Sequence, residues 1–164
     1  VSGIRQTPTS FPVIVDAMTT ATTHPVTYAV TLVTALVAHH VADHWIQTGT
    51  QAERKQDPGL AGTWAAARHV LTYTATLSAI LALVAWRTGI TYDPRRAALA
   101  ALITAITHFI VDRGYSLKWI ADHCGKGGFV RLGNRETAPA GTGAYALDQG
   151  WHLGWLLIAT LILA

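Results

Sequence analysis

Four stretches of the chain are rich in apolar residues and nearly free of charge, at about 25–47, 63–87, 96–120 and 145–164. Each is close to the roughly 20 residues that cross a bilayer core at about 1.5 Å rise per residue. Trp45, Trp64, Trp86, Trp119 and Trp151 sit near stretch ends, where amphipathic rings favour the membrane interface. Asp57-Pro58-Gly59 and Asp93-Pro94 read as turns between stretches,. The pattern predicts an all-α, integral membrane four-helix bundle over 25–164, with Pro25 at the start of the first helix. Residues 1–24 are Thr-rich and interrupted by Pro8 and Pro12. They lack a basic head followed by an apolar run, so they read as a flexible tail rather than a signal peptide, with a short interfacial piece at Phe11 to Met18. Gly125 to Gly143 reads as the one long loop.

Composition narrows this further. Only 13% of the 164 residues are charged, against about 25% in an ordinary soluble domain. With 51% hydrophobic residues, disorder is excluded. The net charge of +3 is small and no dense basic stripe is present, so nucleic-acid binding is not expected. Cys124 is alone, which excludes a disulfide scaffold. Arg54, Lys55, Arg68, Arg113, Lys118, Lys126, Arg131 and Arg135 lie in or beside the loops after the first and third stretches. The other side has Arg5, Arg87, Arg95 and Arg96. This bias favours a multi-pass protein of the inner (plasma) membrane with those two loops in the cytoplasm.

The ionisable residues inside the stretches converge. His39, His40, Asp43 and His44, then Gln47, end the first; Arg68, His69 and Tyr73 begin the second. His108, Asp112 and Arg113 end the third; Asp148, Gln149 and His152 begin the fourth. In an up-and-down bundle all four sets lie at one end. His39–Asp43, His69–Tyr73, His108–Asp112 and Asp148–His152 are each four residues apart, so each pair shares a helix face. An intramembrane Asp costs about 2.5–3.5 kcal/mol at mid-bilayer. Four polar sets at one level against that cost point to a common purpose. Imidazoles and carboxylates facing one another suit a divalent metal such as zinc, manganese or iron, and a metal with an open position activates bound water.

The alternative is structural. Polar groups inside membranes also join helices by hydrogen bonds of about 0.6–2 kcal/mol, and Arg113 is placed to pair with Asp112 or Asp148. His40 and His44 lie about 100° round from the first pair and are expected to face a loop or headgroups. The Asp122-His123-Cys124 run reads as inert, Gly125-Lys126-Gly127-Gly128 lacks the phosphate-loop pattern, and Ser116 has no base at fixed spacing.

The segment from Ala38 to Thr48, with His39, Asp43 and Gln47 as H-x3-D-x3-Q, resembles the opening signature of a bacterial and phage membrane family catalogued as domain of unknown function 3307. Later signatures follow in order: His69 and Tyr73 as H-x3-Y, His108-Phe109 with Asp112 as H-F-x2-D, and Asp148-Gln149 with His152 as D-Q-x2-H. Where the family has a Lys-rich piece after the third motif, this chain reads Arg113 to Lys118. The resemblance covers about 32–162 and implies the same four-helix membrane fold and polar site. A looser similarity to membrane-bound metal-dependent hydrolases is analogy only.

Three functions are expected, in this order. The first is a metal-dependent membrane hydrolase. His39, Asp43, His108, Asp112, Asp148 and His152 would be its ligand pool, His69 and Tyr73 its acid/base or oxyanion partners, and Gln47 and Gln149 its polar supports. An interfacial, cytoplasm-facing site suits a lipid-linked, phosphorylated or peptide substrate. The second is a non-catalytic membrane accessory protein, and the third an ion or proton transporter, for which a one-ended cluster without repeats is poorly arranged. Four short helices expose much surface to lipid, so homo-oligomers are expected under each.

Overall fold

The computed structural model describes residues 11–134 and 136–164, with side chains from His24 onward other than Pro139. Seven α-helices follow in order: α1 (Phe11–His40), α2 (Gly49–Arg54), α3 (Gly59–Thr88), α4 (Pro94–Asp112), α5 (Tyr115–His123), α6 (Gly127–Val130) and α7 (Gly143–Leu163). Four segments are long and apolar enough to cross a membrane: His24–Ile46, Gly59–Thr88, Pro94–Asp112 and Gly143–Leu163. α1 packs on α3 and α7, and α4 packs on the same two. The four long helices therefore form a closed square, with α1 diagonal to α4.

The packing is inside-out by the standard of a soluble bundle. Ala35, Ala38, Ala42, Ala66, Ala100 and Ala159 are buried between helices, where small residues let backbones approach closely. Val33, Val37, Leu71, Leu102, Ile106 and Leu161 face outward. An apolar exterior of that extent suits lipid rather than water.

Several boundaries differ from those read in the sequence. α1 begins at Phe11, so Pro25 is interior to it rather than at its start. Proline is tolerated in apolar helices whose neighbours satisfy the freed carbonyl. Residues 1–10 of the expected tail lie outside the described residues. The expected third helix, running on to 120, instead stops at Asp112. Gly114 adopts φ 70° there, a left-handed backbone open to glycine at little cost, and α5 starts afresh beyond it. The Gly-rich stretch is not all loop: α6 and a 3-10 turn at Pro139–Gly141 lie within it.

The turn between α2 and α3 is a built corner. Thr48 and Gln51 form a capping box at the start of α2, satisfying two backbone donors reciprocally. Arg113, 7% exposed, donates to the carbonyls of Lys55 and Asp57 at 2.6 and 2.7 Å. It therefore does not pair with Asp112 or Asp148, as its place in the sequence suggested. A Cβ on Gly62 would overlap the Asp57 carbonyl and crowd the Arg113 guanidinium. Gly62→Ala is thus expected to destabilise the protein by about 1–3 kcal/mol, seen as a lower unfolding midpoint in detergent.

Candidate metal centre

A π-helical turn, Val41–Ile46, continues α1. Such turns insert extra backbone into a helix and re-aim its side chains, frequently at functional sites. The consequence here falls on His39 and Asp43. Both are buried, but the wider winding after His40 separates their surroundings. Asp43 turns toward α3 and α4, while His39 packs against Tyr73 and His152.

At the bundle centre, Asp43, His69 of α3 and His108 and Asp112 of α4 meet. His69 Nε2 lies 3.0 Å from Asp43 Oδ1, 2.9 Å from His108 Nε2 and 3.3 Å from Asp112 Oδ2. His108 Nε2 lies 3.6 Å from Asp43 Oδ1 and 3.2 Å from Asp112 Oδ2. One proton on His69 Nε2 cannot serve three acceptors at once. A cation can be shared within each of two triads of these side chains that overlap at His108, one with Asp43 and His69 and one with Asp112 and His152. Ligands about 2.05 Å from a tetrahedral ion are about 3.3 Å apart, and the three separations within Asp43–His69–His108 are 3.0, 2.9 and 3.6 Å.

His152 of α7 is prepared as a fifth donor. Its Nδ1 lies 2.8 Å from the Asp148 carbonyl and must donate to it, which leaves the lone pair on Nε2. That atom is buried, has no hydrogen-bond partner among the described residues, and lies 4.0 Å from Asp112 Oδ1. Asp112 Oδ2 is likewise buried without a hydrogen-bond partner. Two overlapping groups of donors therefore could hold a metal ion, Asp43–His69–His108 and His108–Asp112–His152.

The residues expected from sequence take these positions. Asp43, His108, Asp112 and His152 fall in the donor groups, and His69, read as an acid/base, joins them. His39, read as a ligand, stands behind them for the reason given by the π turn. Asp148, also read as a ligand, lies to the side with its side chain 22% exposed, 3.6 Å from His152 Nδ1. Tyr73 is buried with its ring centroid 4.0 Å from that of His108.

Gln149 and Tyr73 complete a one-directional chain of hydrogen bonds. The Gln149 amide nitrogen donates to Asp43 Oδ2 at 3.4 Å and to Asp148 Oδ2 at 3.4 Å. Its oxygen then faces His39 Nε2 at 3.3 Å, so the network assigns the proton to Nε2. His39 Nδ1 accepts from the Tyr73 hydroxyl at 3.0 Å. The chain fixes the Asp43 carboxylate so that Oδ1 faces His69. Tyr73→Phe and Gln149→Leu remove no donor to the ion, yet each is expected to weaken metal affinity about 10–100-fold, measured by competition with a chelating dye.

Lys55, counted in the sequence only as a loop charge, belongs to this centre. Its Nζ lies 2.9 Å from Asp112 Oδ1, with the side chains 14% and 0% exposed. With its amide in the orientation that satisfies both ends, Gln47 donates to the Asp43 carbonyl at 3.1 Å and accepts from Lys55 at 3.1 Å. Burial pulls the Lys55 ammonium down, but Asp112 and Asp43 outweigh it and hold the group above the usual lysine range. His40 and His44 are exposed, as read from their register. Asp122 pairs with Arg131, and Cys124 is exposed.

The model of a protein family of unknown function, DUF3307, matches residues 31–164. The chain belongs to the DUF3307 family. The matched span holds every donor named above, so the candidate centre lies inside the family's domain. No curated protein and no solved structure matches the chain.

Proposed function

We propose that this DUF3307 protein is a membrane-embedded metalloenzyme, a hydrolase whose divalent ion is held by Asp43, His69, His108 and Asp112, with His152 closing or vacating a fifth position. The observation that carries the reading is the convergence of five donors from four helices in two overlapping triads, with Asp112 Oδ2 and His152 Nε2 buried without a hydrogen-bond partner among the described residues. Charge favours it too. Asp112 pairs with the buried ammonium of Lys55 and Asp43 and Asp148 carry charge nearby, and one divalent ion brings these three carboxylates and that ammonium to neutrality. An uncompensated buried charge is costly in a low-dielectric setting. Imidazole and carboxylate donors suit zinc, manganese or iron, any of which supplies an acidified water when bound.

Hydrolysis is favoured over transport by the position of the centre toward one end of the helices, beside an open cavity, rather than at mid-membrane between repeats. The cytoplasmic side is favoured for that end, which gathers Arg54, Lys55, Arg68, Lys118, Lys126 and Arg131, against Arg87, Arg95 and Arg96 opposite,. The test is ester hydrolysis by the full chain in mild detergent. Metal-loaded protein is expected to cleave an activated phosphate or carboxylate ester, chelated protein and Asp43→Asn to lose that turnover. A fully loaded protein inert toward both ester classes would leave a non-catalytic metal protein instead.

A further inference from the structure

A cavity of about 710 Å³ opens beside the donor cluster, within the size range of small-molecule sites. Asp43 and Lys55 both line it. Asp43 presents Oδ1 to His69, and Lys55 reaches past the cavity wall to Asp112. The opposite wall comes from the segment between α4 and α7, with Lys118 on α5 and Arg131 just after α6. Three cations from three parts of the chain thus border one concave space that reaches the candidate metal centre at Asp43.

Their commitments differ. Lys55 is tied to Asp112. Arg131 is held by both oxygens of Asp122, at 2.6 and 2.9 Å. The Lys118 ammonium makes no hydrogen bond or ion pair among the described residues, and the side chain is exposed. Two carboxylates also line the space, Asp43 and Asp148. With the ion in place Asp43 is neutralised as a ligand, and of the three cations lining the cavity Lys118 is the one left uncommitted. A planar carboxylate offers two oxygens on one edge. A tetrahedral oxyanion offers oxygens in several directions, so one can meet Lys118 while another reaches toward the ion beside Asp43. Apolar Leu117, Val130 and Leu132 also line it, and Trp45 and Trp119 on the flanking elements are exposed, as rings that favour the membrane interface often are.

We propose that this cavity binds a phosphate group, with Lys118 as its principal free cation and the metal centre beside it at Asp43. The proposal rests on the metal reading above and names the substrate class of that site. The test uses the full chain in a nonionic detergent, loaded with Mn²⁺, and follows line broadening of the ³¹P signal of inorganic phosphate and of a short-chain phosphatidate. Broadening by bound Mn²⁺ is expected for at least one probe. Lys118→Ala should weaken the affinity about tenfold, with Mn²⁺ content unchanged, and Lys118→Arg should restore most of it. Tighter binding of phosphatidate than of inorganic phosphate assigns a lipid headgroup as the source; equal binding assigns a free phosphoryl group. Stoichiometric Mn²⁺ with no broadening of either probe, or equal affinity in wild type and Lys118→Ala, overturns the phosphate site and leaves the metal centre standing. Failure to retain Mn²⁺ overturns the metal centre itself, and the phosphate site with it.

Discussion

Asp112→Ala is expected to abolish stoichiometric metal binding and to destabilise the bundle by about 3–5 kcal/mol. Two losses coincide at this residue. Oδ2 faces both His69 Nε2 and His108 Nε2, at 3.3 and 3.2 Å, so one corner of the donor set disappears. Oδ1 holds the Lys55 ammonium at 2.9 Å, so a buried charge is left without its partner. Asp112 and Asp43 hold Lys55 above the usual lysine range against the pull of burial. The sign of the pH effect follows. The pairing stabilises fully below the unfolded lysine value of about 10.4 and fades as pH rises through the higher folded value. Neutral-pH unfolding therefore reports the whole effect. A second change separates the two losses. Asp112→Ala with Lys55→Met removes the orphaned charge, so it is expected to regain stability in a detergent melt while still failing to bind metal.

Metal removal is the second large effect. Chelation leaves three carboxylates, Asp43, Asp112 and Asp148, with the Lys55 ammonium as the cation near them that Asp112 holds. An ion held about a thousandfold above its Kd stabilises by about 4 kcal/mol, which for a chain of this size corresponds to about 8–16 °C in Tm. Adding zinc, manganese or iron back should restore the melt, and the ion that restores most identifies the preferred metal. His69, His108 and His152 must be unprotonated to ligate. Protons compete with the ion, so the metal-dependent increment should shrink as pH falls from 8 toward 5. A melt indifferent to chelator and metal across that range would leave the donor cluster as helix-joining polar contacts.

Much of this fold is legible in the apolar stretches, because a helix surrounded by lipid needs a long uncharged run and little else. The His108–Asp112 pair is legible for the same local reason: α4 is uninterrupted between them, so four-residue spacing keeps one face. His39–Asp43 carries the same spacing but spans the start of the π turn at Val41–Ile46, and the backbone insertion sets its two members to different tasks. Nothing in the apolar pattern marks that turn. Lys55 escapes sequence reading because it lies outside the helices that span, and only the corner held by Thr48, Gln51 and Arg113 brings it over Asp112. The break after α4 depends on one backbone conformation, at Gly114, inside a run whose side chains are still helix-compatible. His69 reads in the sequence as an acid/base, and it is the fold that sets its Nε2 against Asp43, His108 and Asp112.

The central claim is a divalent ion held between α1, α3, α4 and α7, and the metal-to-protein ratio tests it most directly. The full chain, purified in mild detergent without chelators and analysed by plasma mass spectrometry, should carry about one divalent ion per chain. His40→Ala, altered at an exposed histidine beside the site, should carry the same amount, and His69→Ala and Asp43→Ala should carry almost none. A wild-type protein without stoichiometric metal, or a ratio unchanged in His69→Ala and Asp43→Ala, would contradict it.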